Sequence, residues 1–210
     1  MIIEELVEAR LKKRYKRFLA DVIFNNGKEE TVHCPNPGSM KGCLVEASRV
    51  FLKDSKNPAR KLKYTWTLIE LESSLVIVDT GFANKFVKQL VEDNQIEELK
   101  GYKSVLSEPK YLDGRFDLLL TTSELDVKEK KKYTAQPGDC FVEIKSTTLK
   151  EDKSALFPDA RTERGRKHLH RLQEAKNKGI RAVQFFLVNR EDTINFSPAE
   201  EIDPEYSATL

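Results

Sequence analysis

Residues 138–147 read GDCFVEIKST, a short apolar strand into which a glutamate and a lysine have been set. On a period-two ribbon Cys140, Val142 and Ile144 point to one side and Phe141, Glu143 and Lys145 to the other. An acid and a base therefore share a face that would otherwise bury carbon. An edge strand carrying a weak, exposed ion pair would account for those two residues taken alone. Their surroundings point elsewhere. Residues 114–120, GRFDLLL, read as a second apolar strand with a single acid, Asp117, and a basic helical segment begins near Thr162. Neighbouring strands lie about 4.8 Å apart, so Asp117 and Glu143 converge on one ion if their registers match.

Two carboxylates and a strand carbonyl are hard oxygen donors that suit Mg²⁺, with Mn²⁺ as the alternative. An ammonium beside them would orient or help deprotonate a water and offset the charge that grows on a phosphorane. Asp117, Glu143 and Lys145 are thus the candidate catalytic residues, and both acids are the candidate metal ligands. Asn84, in the first turn of the preceding helix, is a further candidate metal or water contact, with ordinary capping as its other reading. Glu108, on the strand before Asp117, is a candidate third carboxylate. The order helix, three strands, helix, strand, with the acids and the lysine at these places, resembles the PD-(D/E)xK nuclease core. The fold class expected is α/β, or α+β overall.

The chain has 210 residues, 39% of them hydrophobic, enough for one large domain or two small ones. Residues 1–80 read as β structure. RYKRFLADVIF alternates Phe18, Ala20, Val22 and Phe24 against Leu19, Asp21 and Ile23, and Asn25, Asn26 and Gly27 follow as a hairpin turn. EETVHCP, SRVFLKD, YTWTLIELE and SLVIVDT supply four more strands, which predicts a small barrel of the OB type. After residue 80 the apolar spacing becomes helical, with Phe82, Phe86, Val87, Leu90 and Val91 in step and Thr80 as N-cap. Strands follow at about 104–111 and 115–120, joined through Asp113 and Gly114, and residues 81–210 form the nuclease-like domain. TTSELDVKEKKKYTAQPGD has no apolar rhythm and reads as an exposed hairpin extension or mobile loop. IRAVQFFLVN is nearly continuous in carbon, as in a strand buried on both faces.

Lys and Arg number 36 against 34 Asp and Glu, so the net charge of +2 conceals local asymmetry. RLKKRYKR (residues 10–17) carries six cations and no acid, Lys53 to Lys63 hold five more, and Arg161 to Arg171 form a third cluster. Such blocks attract polyanions. Lys12, Lys13, Arg14, Lys16 and Arg17 read as an arm on the barrel that holds DNA largely without regard to sequence. Arg164, Lys167, His168 and Arg171 share one helix face and read as phosphate contacts. His168 and His170, two apart, do not form a metal pair. In NPGSMKG, Ser39 and Lys41 add donors to a glycine-freed loop that could wrap a phosphate. RNA is left open as a second ligand, and a homodimer is suggested only by analogy with paired nucleases. The three cysteines have no paired spacing and are expected to be reduced. No apolar run approaches the ~20 residues of a membrane span, and the N-terminus lacks signal-peptide character, so a cytoplasmic protein without membrane contact is expected.

HCPNPGSMKGCL, DTGFANK, FVEIKSTTL, ALFPDARTERGRKHL and EIDPEY, in that order, closely resemble the sugar fermentation stimulation protein A family over essentially the whole chain. The resemblance implies an OB-like N-terminal part, a PD-(D/E)xK-type C-terminal part and DNA binding. Carried over by motif, Asp117 and Glu143 become metal ligands and Lys145 the catalytic lysine. The family name implies a regulatory role in maltose and sugar metabolism, so a catalytically silent DNA-binding regulator is the alternative. Pro37 stands where the family block more often has a threonine, and members usually continue into a further strand beyond the position of EIDPEY.

Overall fold

The barrel strands follow from alternation. In the computed structural model, which describes residues 5–72 and 74–210, β1 (Leu6–Tyr15), β2 (Leu19–Phe24), β3 (Glu29–His33), β4 (Arg49–Asp54), β5 (Tyr64–Leu71) and β6 (Ser74–Ile77) form one sheet. Its order is β3-β2-β1-β4-β5-β6, and a pairing of His33 with Thr65 joins β3 back to β5 and closes the barrel. Ala9, Leu11, Ala20, Val22, Val32, Val50, Leu52, Trp66 and Ile69 fill the interior.

β1 corrects the expectation of a basic arm. Ala9 and Leu11 point into the barrel while Arg10, Lys12 and Lys13 face solvent, so the cations decorate a central strand. A bulge between Leu11 and Lys13 shifts the register against β2. Lys12 pairs with Glu29 at 2.8 Å and Lys13 with Asp21 at 3.7 Å, while Lys16 and Arg17 turn the hairpin in left-handed conformations. The outward face of this strand is so uniformly charged that its alternation is hidden in the sequence.

Packing divides the chain into two units. The first holds the residues up to Phe82 together with Ser146–Arg161 and Val188–Pro204, and the second holds Ala83–Lys145, Thr162–Leu187 and Glu205–Leu210. The change of pattern near residue 80 thus falls close to the end of the first unit's opening segment. The later segments of that unit carry a three-stranded sheet of β12 (Leu149–Glu151), β13 (Ser154–Phe157) and β15 (Asn195–Pro198), in which β13 and β15 are parallel.

The second unit is built on a four-stranded sheet ordered β14-β11-β10-β7, from β14 (Arg181–Val188), β11 (Cys140–Thr147), β10 (Leu118–Thr121) and β7 (Ser104–Ser107). Helix α1 (Thr80–Glu92) packs Ala83, Val87 and Val91 against Cys140, Val142, Ile144, Leu118 and Leu120 on one face. Thr80 is the first helical residue rather than the cap; the Asp79 carboxylate accepts from the Gly81 N–H at 3.0 Å and does the capping. Phe141 lies on the opposite face of the sheet, against Phe116 and Tyr111 with ring centroids 4.6 and 4.9 Å away. Helix α3 (Glu163–Asn177) reaches that face, opened by the Thr162 hydroxyl accepting from Gly165 N–H at 3.0 Å.

Three further expectations change. The segment after β10 is ordered: Asp126 and Glu129 make a reciprocal capping box that starts α2 (Val127–Lys132), and the Tyr133 hydroxyl lies 2.9 Å from that of Thr121. Capping chemistry, not apolar rhythm, makes that helix. The short hairpin of β8 (Lys110–Tyr111) and β9 (Gly114–Arg115) turns at Leu112 and Asp113, because Tyr111 pairs with Gly114. β14 is an edge strand and only half buried; Val183, Phe185 and Leu187 pack inward, so its apolar run does not mean two covered faces. Helix α4 (Pro204–Thr209) ends the chain. The three cysteines are free and buried, and burial pushes the Cys140 thiol up to about 11. Among the described residues no helix is long and apolar enough to cross a membrane.

Candidate functional site

The site grows from one register. β10 and β11 are antiparallel with Leu118 opposite Val142 and Leu120 opposite Cys140, and continuing that register by one residue sets Asp117 opposite Glu143. Asp117 sits at the bend that enters β10, and its Oδ2 accepts from the Ile144 N–H at 2.7 Å. From α1, Asn84 donates its side-chain N–H to Asp117 Oδ1 at 2.7 Å, so its amide is engaged with the acid and not with the helix end. Glu143 and Lys145 share a face of β11 with side chains only 4% and 13% exposed, and the Lys145 ammonium donates to Glu143 Oε1 at 2.6 Å.

The electrostatics separate the two acids. Burial drives the Asp117 carboxyl above the usual carboxylate range and the charge of Glu143 adds to it, against the opposing hydrogen bond from Ile144 N–H. For Glu143 burial also pushes upward, but hydrogen bonds from His168 and Lys145 and the charge of Lys145 outweigh it and hold the carboxyl low. The same burial thus acts on both acids, and only Glu143 has donors enough to overcome it. Such opposed shifts in adjacent groups mark sites of chemistry more often than sites of packing.

Glu143 Oε2 is buried and has no hydrogen-bond partner, the kind of orphaned acceptor that a hard cation satisfies. Asp117 and Glu143 are therefore fitting carboxylate donors for Mg²⁺ or Mn²⁺, with waters and substrate oxygens completing the shell. Among the described residues no group of three His, Cys, Asp or Glu side chains is arranged to hold a metal. Glu108 does not supply the third carboxylate. It lies just past β7 with a left-handed backbone, and its exposed carboxylate meets Arg115 at 3.4 Å.

Helix α3 delivers the positive charge. A groove of about 470 Å³ is lined by Gly114, Arg115, Glu163, Arg164, Lys167, His168 and Arg171. Arg171 is braced by Asp113 at 2.9 Å and crosses so close to Gly114 that a Cβ there would stand 2.6 Å from the guanidinium. His168 departs from the expected phosphate-contact role. It is buried, and its Nδ1 meets Glu143 Oε1. On a helix 3.6 residues per turn this position borders both the basic stripe and the Leu169 and Leu172 stripe, which sequence alone assigned to solvent. Gln184 on β14 was missed altogether: its amide donates to the Glu143 carbonyl at 2.8 Å, and its Oε1 is buried without a partner. A lone amide inside AVQFFLV is the same signal that singled out Glu143.

The NPGSMKG loop, in the first unit, already holds an anion of its own. Met40 N–H donates to Asp159 Oδ2 at 2.8 Å and Ser39 Oγ to the Asp159 carbonyl at 2.8 Å, while Lys41 is exposed. Arg14 braces the loop from β1 by donating to the carbonyls of Asn36 and Gly38 at 2.8 and 2.9 Å. The cradle read for phosphate is closed by a carboxylate.

Residues 13–78 match the family model described as the SfsA N-terminal OB domain, and residues 81–210 match the sugar fermentation stimulation protein RE domain. A sugar fermentation stimulation protein homolog of Geobacter metallireducens is 45% identical over 98% of this chain and 84% of its own length. The homolog of Geotalea daltonii is 44% identical over 100% of this chain and 85% of its own length. Among solved structures, Pyrococcus furiosus SfsA in complex with Ca²⁺ superposes with a TM-score of 0.85 at 24% identity, covering 100% of this chain and 84% of that one. The register-matched acids, the closed barrel and these likenesses over the full length agree, and the chain belongs to the sugar fermentation stimulation protein (SfsA) family.

Proposed function

We propose that this protein binds DNA and hydrolyses phosphodiester bonds with Mg²⁺, or Mn²⁺ in its place. The observation that carries the reading is the pairing of Asp117 with Glu143 across β10 and β11, with Lys145 on the same face and Glu143 Oε2 buried without a partner. A solved relative is described in complex with Ca²⁺, a hard oxygen-seeking cation of the class this donor set suits. Bound Mg²⁺ would polarise the phosphodiester and acidify a water. Asn84 and the Ile144 N–H hold Asp117 in place to serve as a ligand. Lys145 places an ammonium beside Glu143, where it orients the attacking water and offsets charge gained by the phosphoryl oxygens. Arg164, Lys167 and Arg171 hold the flanking phosphates in the α3 groove. In the net step water adds to phosphorus, the P–O bond to the leaving alcohol breaks, and that oxygen takes up a proton.

The second reading, a silent DNA-binding regulator of sugar metabolism, draws on the family's name. Single-stranded, duplex and branched DNA offered with Mg²⁺ or Mn²⁺ separates the two. The nuclease reading expects cleavage that falls at least ~100-fold in Glu143→Ala and Lys145→Ala while DNA binding persists. Absence of cleavage by the unaltered protein on every substrate, with binding intact, leaves the regulator.

A further inference from the structure

Each carboxylate of the acid pair has one side-chain donor from a helix, Asn84 for Asp117 and His168 for Glu143. The second of these is unusual in its setting. The His168 side chain is 9% exposed, on α3, and its Nδ1 meets the same Oε1 that Lys145 contacts, leaving Oε2 as the buried oxygen without a partner. The other ring nitrogen, Nε2, lies 3.5 Å from Arg164 Nε in the basic groove. With Arg164 donating to Nε2, Nδ1 carries the hydrogen and donates to Glu143. The imidazole therefore bridges a groove-lining guanidinium and a candidate ligand.

We propose that His168 is a positioning residue for the divalent cation: by holding Glu143 Oε1 from α3 it presents Oε2 to the ion and ties the nucleic-acid groove to the metal site. The proposal rests on the metal-dependent reading of Asp117 and Glu143. A carboxylate with two rotamers open to it would divide its time between ion-facing and ion-averted states. Two donors on one oxygen, from Lys145 and from His168, remove that freedom in advance. Lys145 sits two residues away on the same strand and moves with Glu143. His168 comes from a different element, so it also fixes where β11 lies relative to α3.

The test is cation binding to the full-length protein without DNA. Titration calorimetry with Mn²⁺ compares the unaltered protein with His168→Asn, whose amide can donate from the Nδ1 position, and His168→Gln, whose amide reaches the Nε2 position instead. Loss of an outer partner of a metal ligand typically costs 10–100-fold in metal affinity, and that loss is expected for His168→Gln with His168→Asn retaining most of the affinity. Thermal unfolding without cation checks that both variants fold; if His168→Gln does not, His168→Ser is scored in its place. Equal Mn²⁺ affinity in all three proteins overturns the assignment of His168 alone. A shallower salt dependence of metal-free DNA binding, with Mn²⁺ affinity unchanged, overturns it in favour of a direct phosphate contact. No Mn²⁺ uptake by the unaltered protein removes the metal site and this assignment together.

Discussion

Asp117 and Glu143 occupy facing positions yet are pulled in opposite directions. Burial and the neighbouring Glu143 charge make ionised Asp117 costly in the fold, while donors from His168 and Lys145 make ionised Glu143 favourable. An acid raised in the folded state loses stability as pH climbs from its unfolded pKa through its folded one; a lowered acid loses it as pH falls through its folded pKa. With the Asn84 amide turned over to accept from the new side chain, Asp117→Asn is therefore expected to raise the thermal midpoint of the cation-free protein at neutral pH. The gain should vanish in acid, below the ordinary carboxylate range, and reach its full size above the raised pKa of Asp117. Thermal melts across pH check this, and the same variant should lose the midpoint rise that Mn²⁺ gives the unaltered protein. A midpoint difference between the two proteins that does not change with pH would remove the electrostatic account of the pair.

At the scale of elements, α3 and the NPGSMKG loop make separate demands. Lys167 lies on the groove face of α3, and a phosphate contact there carries no sequence information. Lys167→Ala is expected to weaken duplex binding about equally on unrelated sequences and to lower the slope of log affinity against log salt by roughly 0.9. Fluorescence anisotropy at three salt concentrations reads both quantities. In the loop, a Cβ on Gly38 would stand 2.8 Å from Asp159 Oδ2, against a carboxylate that Met40 N–H holds in place. Gly38→Ala should then cost about 1–3 kcal/mol in denaturant unfolding, an overpacking penalty rather than a loss of DNA contact. Barrel and loop are also joined by Arg14, which is why this cation is better understood as a brace than as part of an arm.

For the whole molecule, the first unit is assembled from three stretches of chain, and the late ones are bonded into it. Ile77 N–H donates to the Asn189 carbonyl at 3.1 Å, Glu191 N–H to Ser74 Oγ at 3.1 Å, and Met40 N–H to Asp159. Arg190 and Lys150 enclose Asp192 in the same unit at 2.7 and 2.6 Å. A fragment of residues 1–80 keeps the barrel strands but none of these partners. It is expected to unfold without a cooperative transition by circular dichroism, while the full chain melts sharply; a cooperative melt of the fragment would show that the barrel is self-sufficient.

Much of this protein was legible in its residues. The barrel strands β2 to β6 rest on alternation, α1 and α3 on helical spacing, and the acids on their isolation within apolar strands, all of which are local signals. GRFDLLL and CFVEIKST announced a paired site because an ionisable group in a buried strand needs a reason. Other features depended on partners distant along the chain. β1 was hidden because charge on the outward face of a strand resembles a solvated arm until Ala9 and Leu11 are seen inside the barrel. Glu108 and Glu143 are both acids near the same sheet, and only the backbone at Glu108 decides that its side chain turns to Arg115. Asp159 closes the NPGSMKG loop from 119 residues away in sequence. His168 looked like one more cation on a basic helix. The rotation of α3 against β11 put it on Glu143, and rotation of one element against another is a property of packing that no single segment encodes.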